Sequence, residues 1–171
     1  MALNDLTIDG STVEGFKVTT LNYDVKLPIG TTEVPTVEAV SDNENEVIEI
    51  TPPESLPGTT IITVTLDETT TTYKINFTVT TLLDEVKNYL DITWTDTATD
   101  LKLSGIIDRG QNFLNKKTNS MLDFEIEGRP KELLFEYCRF ARNGILNEFE
   151  TAYLPMLVDL IADGGGSYGL L

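Results

Sequence analysis

Thr60-Ile61-Ile62-Thr63-Val64-Thr65-Leu66 and, after a polar break, Tyr73-Lys74-Ile75-Asn76-Phe77-Thr78-Val79 alternate apolar and polar residues with a period of two. Ile62, Val64 and Leu66 therefore share one face of a strand, and Tyr73, Ile75, Phe77 and Val79 share one face of the next. Both read as half-buried antiparallel strands, with Asp67-Glu68-Thr69-Thr70-Thr71-Thr72 as the polar hairpin connection. Working outward, further strands are predicted at residues 3–8, 22–27, 34–40 and 47–51. Pro28-Ile29-Gly30, Pro52-Pro53 and Pro57-Gly58 punctuate them as turns.

The pattern changes near residue 82. Nineteen threonines lie before it, together with three basic and thirteen acidic side chains, a net of −10. After it, nine basic and fifteen acidic side chains give −6, and Leu, Glu, Lys and Phe recur at helical spacing. Leu82, Leu83, Val86, Tyr89 and Leu90 mark a short first helix. Thr95 or Asp96 can cap a second, over about 97–115, with Leu103, Ile106, Ile107, Phe113 and Leu114 inward. Arg129-Pro130 opens a third, whose apolar face is Leu133, Leu134, Tyr137, Cys138, Phe140, Ala141 and Ile145. A fourth, over about 148–162, is interrupted or kinked near Pro155. The expected class is α+β as two segregated domains: an N-terminal all-β immunoglobulin-like sandwich, residues 1–81, and a C-terminal all-α bundle of about four helices, residues 82–163. Residues 164–171 are read as a flexible tail.

Composition excludes much chemistry. The chain of 171 residues carries a net charge of −16, no histidine and one cysteine. Imidazole bases, the usual Ser-His and Cys-His arrangements and histidine-ligated metals are ruled out, and Cys138 has no partner for an internal disulfide. The charge argues against a phosphate-neutralising surface. No apolar run reaches membrane-spanning length, and Met1-Ala2-Leu3-Asn4-Asp5 lacks a basic stretch ahead of an apolar one, so neither a leader nor a membrane span is expected.

Two resemblances follow. Leu6-Thr7-Ile8-Asp9-Gly10, Gly15-Phe16, Tyr23-Asp24-Val25, Leu27-Pro28-Ile29-Gly30-Thr31-Thr32, Leu56-Pro57-Gly58-Thr59-Thr60 and Tyr73-Lys74-Ile75-Asn76-Phe77 resemble bacterial cadherin-like and Ig-like β-sandwich modules, which are often appended to surface or phage structural proteins. Leu83-Asp84-Glu85-Val86-Lys87-Asn88-Tyr89-Leu90, Ile92-Thr93-Trp94, Ile106-Ile107-Asp108-Arg109-Gly110, Leu133–Asn143 and Glu148–Leu154 resemble, in order, the helical head–tail connector (adaptor, or DNA-packaging) proteins of tailed bacteriophages. That second resemblance implies a virion protein assembled in the host cytoplasm. It implies a ring, typically of twelve copies, between the portal protein and the tail or its terminator or stopper. DNA would pass through the lumen without sequence-specific binding, and the protein would need no catalytic site, cofactor, metal or membrane. The alternative is a binding module whose β half recognises a carbohydrate or host-cell surface.

Each candidate site has a plain structural reading beside it. Asp42-Asn43-Glu44-Asn45-Glu46 offers oxygen ligands without calcium-loop spacing and reads better as a solvated turn. Asp123, Glu125 and Glu127 could be imagined as general acid and base but read as surface charge, so no enzyme is expected. Cys138, on an apolar helix face, reads as a buried structural thiol. Arg129, Lys131, Arg139 and Arg142 form the one basic concentration, either a subunit or portal contact or a set of pairs with nearby acids. Tyr168, Leu170 and Leu171, beyond Gly164-Gly165-Gly166, are apolar with no local core and read as a docking tail for the portal or a neighbour, or as a frayed end.

Overall fold

In the computed structural model, which describes residues 3–163, contacts divide the chain into two compact units, one ending at Thr80 and the other beginning at Thr81. In the first, β1 (Asp5–Ile8), β2 (Ser11–Thr12) and β4 (Val37–Val40) form a three-stranded sheet ordered β2-β1-β4. β3 (Asn22–Leu27), β5 (Val47–Thr51), β6 (Gly58–Leu66) and β7 (Thr69–Val79) form a four-stranded sheet ordered β3-β7-β6-β5. Leu3, Leu6 and Val13 from one side and Ile62, Val64, Tyr73, Ile75 and Phe77 from the other make a single core. The period-two pattern is the cause: Ile62, Val64, Tyr73, Ile75 and Phe77 are at most 1% exposed, while Ile61 between them is 39% exposed. Two tyrosine hydroxyls tie loops to this core. Tyr23 donates to the Lys17 carbonyl at 3.0 Å, and Tyr73 accepts from the Leu3 amide at 3.3 Å.

The expected fold class needs correction on two counts. The β unit is not an all-antiparallel immunoglobulin-like arrangement, because β3 pairs with β7 in parallel, from Asn22 opposite Lys74 to Leu27 opposite Val79. A parallel pair needs a long crossover, and here everything from β4 to β6 lies between the two strands. The helical unit is not a bundle of about four helices. It has α1 (Leu82–Tyr89), α2 (Thr97–Thr118), α3 (Arg129–Arg142), a 3-10 turn (Leu146–Glu148), α4 (Phe149–Ala152) and α5 (Leu154–Ala162). The segment read as one final helix is thus broken in three, with α5 restarting one residue before Pro155, whose ring cannot follow an intact preceding turn.

Local signals set the other helix ends. Thr81 and Asp84 form a reciprocal cap on α1: Thr81 Oγ1 accepts from the Asp84 amide at 3.2 Å, and the Asp84 carboxylate accepts from the Thr81 amide at 2.9 Å. Asp96 caps α2 by accepting from the Thr99 amide at 2.8 Å, and Asn119 closes it at φ 52°. Val86, Leu103, Ile106, Ile107, Leu114, Leu133, Leu134, Cys138 and Leu160 form the helical core. Phe113, Tyr137, Phe140, Phe149 and Tyr153 add a ring cluster with centroids 5.4–6.0 Å apart.

Candidate functional site

The chemistry-bearing side chains of the helical unit gather along α3. Lys131 is a cation only 3% exposed at the start of that helix. Its ammonium lies 2.9 Å from the Glu85 carboxylate of α1 and 2.5 Å from Glu127. Burial works against its charge, but hydrogen bonds from the ammonium to Glu127 and Glu85 prevail and hold its pKa above the usual lysine range.

One turn further on, Glu136 accepts from Tyr89 of α1 and from the Arg139 Nε at 2.7 Å, and Arg139 reaches the Tyr153 hydroxyl at 3.2 Å. This seam joins α1, α3 and the α4–α5 junction. Burial pushes Glu136 up, yet its hydrogen bonds with Tyr89, Tyr153 and Arg139 outweigh that and leave its pKa below the usual range. Burial, then the facing Glu136, push the Tyr89 phenol up to about 12. Arg129 reaches Asp159 of α5 at 2.6 Å. Arg142 donates to the Leu90 carbonyl at 2.9 Å and lies 6.0 Å from the Trp94 ring centre.

All four residues of the predicted basic face, Arg129, Lys131, Arg139 and Arg142, are therefore engaged inside the unit, as ties between helices. Tyr168, Leu170 and Leu171 lie outside the described residues. Cys138 is fully buried, and burial pushes its thiol up to about 12. Asp42-Asn43-Glu44-Asn45-Glu46 makes a turn in which the Asn43 side chain accepts from the Asn45 amide at 3.1 Å and Glu46 accepts from Ser41 at 2.6 Å. Among the described residues, no group of three or more acidic or thiol side chains converges to hold a metal ion. No helix among them is long and apolar enough to cross a membrane.

The sequence reading missed a different set of cations. Lys102, Arg109 and Lys116 of α2 are exposed and make no salt bridge among the described residues. Their seven-residue spacing was the available signal. Also exposed are Leu101 (71%), Met121 (89%) and Ile126 (61%), together with Leu154, Val158 and Ile161 on one side of α5. In the β unit, an open groove beside the edge strand β3 is lined by Val13, Glu14, Asn22, Asp24 and Lys26.

No family model matches the chain. It is 32% identical over 134 residues, 75% of its length, to a gellan lyase from a Bacillus species. The chain spans 5% of that protein. The expectation that no enzyme is involved is corrected by this likeness, since the relative is named for a lyase activity. The absence of histidine and the reading of Asp123, Glu125 and Glu127 as surface charge, on which that expectation rested, do not exclude likeness to a portion of an enzyme.

Proposed function

We propose that this chain is a structural component of a tailed-phage particle, a head–tail connector that forms a ring on the portal protein and extends the DNA channel towards the tail. The observation that carries the reading is the ordered resemblance of residues 82–162 to connector proteins, spread over several helices. The structure adds support of a physical kind. The helical unit ties its α3 cations inward, yet leaves Leu101, Met121, Ile126, Leu154, Val158 and Ile161 in solvent. Several large apolar residues at the surface of so small a unit suit a protein that is covered by neighbours. A ring needs self-complementary shape, and many copies of a chain of net charge −16 would repel DNA that touched the lumen wall, favouring sliding over sticking. The test is co-assembly. Full-length chain mixed with portal protein and imaged by negative-stain microscopy is expected to show rings seated on portals. A chain that stays monodisperse and does not co-sediment with portal overturns the reading.

A second reading is favoured by the gellan lyase likeness: the β unit binds a polysaccharide of the kind that relative is named for. The groove beside β3 is its place, and an edge strand flanked by Glu14, Asn22, Asp24 and Lys26 offers donors and acceptors for sugar hydroxyls. A glycan array that includes gellan fragments decides it. Retention on gellan that is lost with Asn22→Ala supports the reading, and no retention removes it.

A further inference from the structure

Nine Lys and Arg residues lie in residues 82–171. Six are engaged within the helical unit: Lys87 with Asp100 at 2.6 Å, Lys117 with Glu150 at 2.7 Å, and the four on α3 described above. The three left over are not scattered. Lys102, Arg109 and Lys116 recur every seven residues on α2, so they drift only about 20° per step and form one stripe about 21 Å long. Leu101 lies about 100° round α2 from Lys102 and flanks the stripe with an apolar side chain that is 71% exposed. In an acidic chain, an aligned row of cations with no salt bridge among the described residues is a surface complementary to an anionic partner.

The same unit carries a matching surface. Between α2 and α3, Leu122 and Phe124 point into the core (8% and 4% exposed), and the Leu122 amide donates to the Asn115 side chain at 2.9 Å. Held from beneath in this way, the segment turns Asp123, Glu125, Ile126 and Glu127 outward. Its own chain cannot use it on the stripe. The segment lies against Gln111 and Asn115, which are about 160° and about 120° round α2 from Arg109.

We infer that the α2 stripe of one copy receives the acidic 123–127 segment of a second copy of this chain. Glu125 faces the cations while Glu127 stays with Lys131 of its own chain, and Ile126 meets Leu101 on the flank of the stripe. The two surfaces differ and look in different directions, so the contact is heterologous and propagates head to tail, closing into a ring where the rotation permits. Duplex DNA is the poorer occupant, because three cations per copy oppose a chain of net charge −16 and DNA gives Leu101 nothing apolar to cover. The inference rests on the ring reading above and assigns its subunit contact.

The test is sedimentation velocity of the full chain at about 50 mM and about 500 mM salt, where screening lengths differ roughly threefold. Wild type is expected to self-associate at low salt and to weaken at high salt. Lys102→Glu/Arg109→Glu/Lys116→Glu is expected to weaken association by at least about tenfold. Adding Glu125→Lys to that chain is expected to restore some of it, a reciprocal rescue that a merely structural role would not give. All four positions are exposed, and circular dichroism checks each fold. Wild type that stays monomeric at low salt, or a triple variant that associates like wild type, overturns the contact. So does a triple variant that loses duplex-DNA binding alone. The ring reading itself is decided separately, by co-assembly with portal protein.

Discussion

Lys131 and Glu136 show how far a single ionisable side chain can be committed to architecture. Removing one member of a buried pair leaves the other charge uncompensated, so Lys131→Met is expected to cost about 2 kcal/mol or more in denaturant unfolding. The double change Lys131→Met/Glu85→Leu is expected to recover most of that, because the pair is then replaced rather than broken. Glu136 has a folded pKa below its ordinary 4.5, so its contribution is present above about pH 4.5 and is lost as pH falls through the lower, folded value. Thermal midpoints measured from pH 6 to pH 3 are expected to fall more steeply for wild type than for Glu136→Gln. A pair with Glu127, four residues earlier, was legible at residue 131, but the burial was not. Pro130-Lys131-Glu132 reads as a helix start facing water, and Glu85, the partner that permits burial, is 46 residues away. Arg139 was half legible: Glu136 three residues earlier announced the pair, but not the tyrosines on other helices that complete it.

At the level of elements, the α2–α3 packing depends on the absence of a side chain. A Cβ on Gly110 would stand 2.6 Å from Leu134 Cδ1 and 2.8 Å from Tyr137 Cδ1, both in the core. Gly110→Ala gains up to about 1 kcal/mol in helix propensity but must push a pair of packed helices apart, so a net loss of about 1–2 kcal/mol is expected by chemical denaturation. Gly110→Val is expected to lose more. The inward stripes of α2 and α3 could be read from spacing, because 3.6-residue periodicity is a local property. The run Thr69–Thr72 could not. It looks like a loop by polarity, yet it extends β7 and pairs Thr70 with Thr65 and Thr72 with Thr63. β-branched side chains tolerate the strand, and the facing strand supplies the hydrogen bonds. The parallel pairing of β3 with β7 was equally out of reach, since alternation gives the faces of a strand and says nothing about its direction or neighbour.

For the molecule as a whole, each unit has its own closed core, so the two are expected to survive separation. A chain beginning at Thr81 should keep its helical content and, on the connector reading, still form rings with portal protein. Loss of rings in that truncation, measured by microscopy beside a circular dichroism spectrum matching native helices, would assign assembly to the β unit instead. A chain beginning at Leu82 is expected to be less stable by about 1 kcal/mol, because it lacks the cap on α1. The covalent junction explains why the cut position matters. Thr80 gives both its amide and its hydroxyl to the Leu27 carbonyl, each at 2.8 Å, while Thr81 bonds forward to Asp84 and Glu85. One peptide bond thus separates a residue wholly committed to the sheet from one wholly committed to the helix. A gene spliced at that codon boundary cuts neither the bonds that Thr80 makes back to Leu27 nor those that Thr81 makes forward to Asp84 and Glu85, which is a condition under which a module can be gained, lost or exchanged in a single recombination.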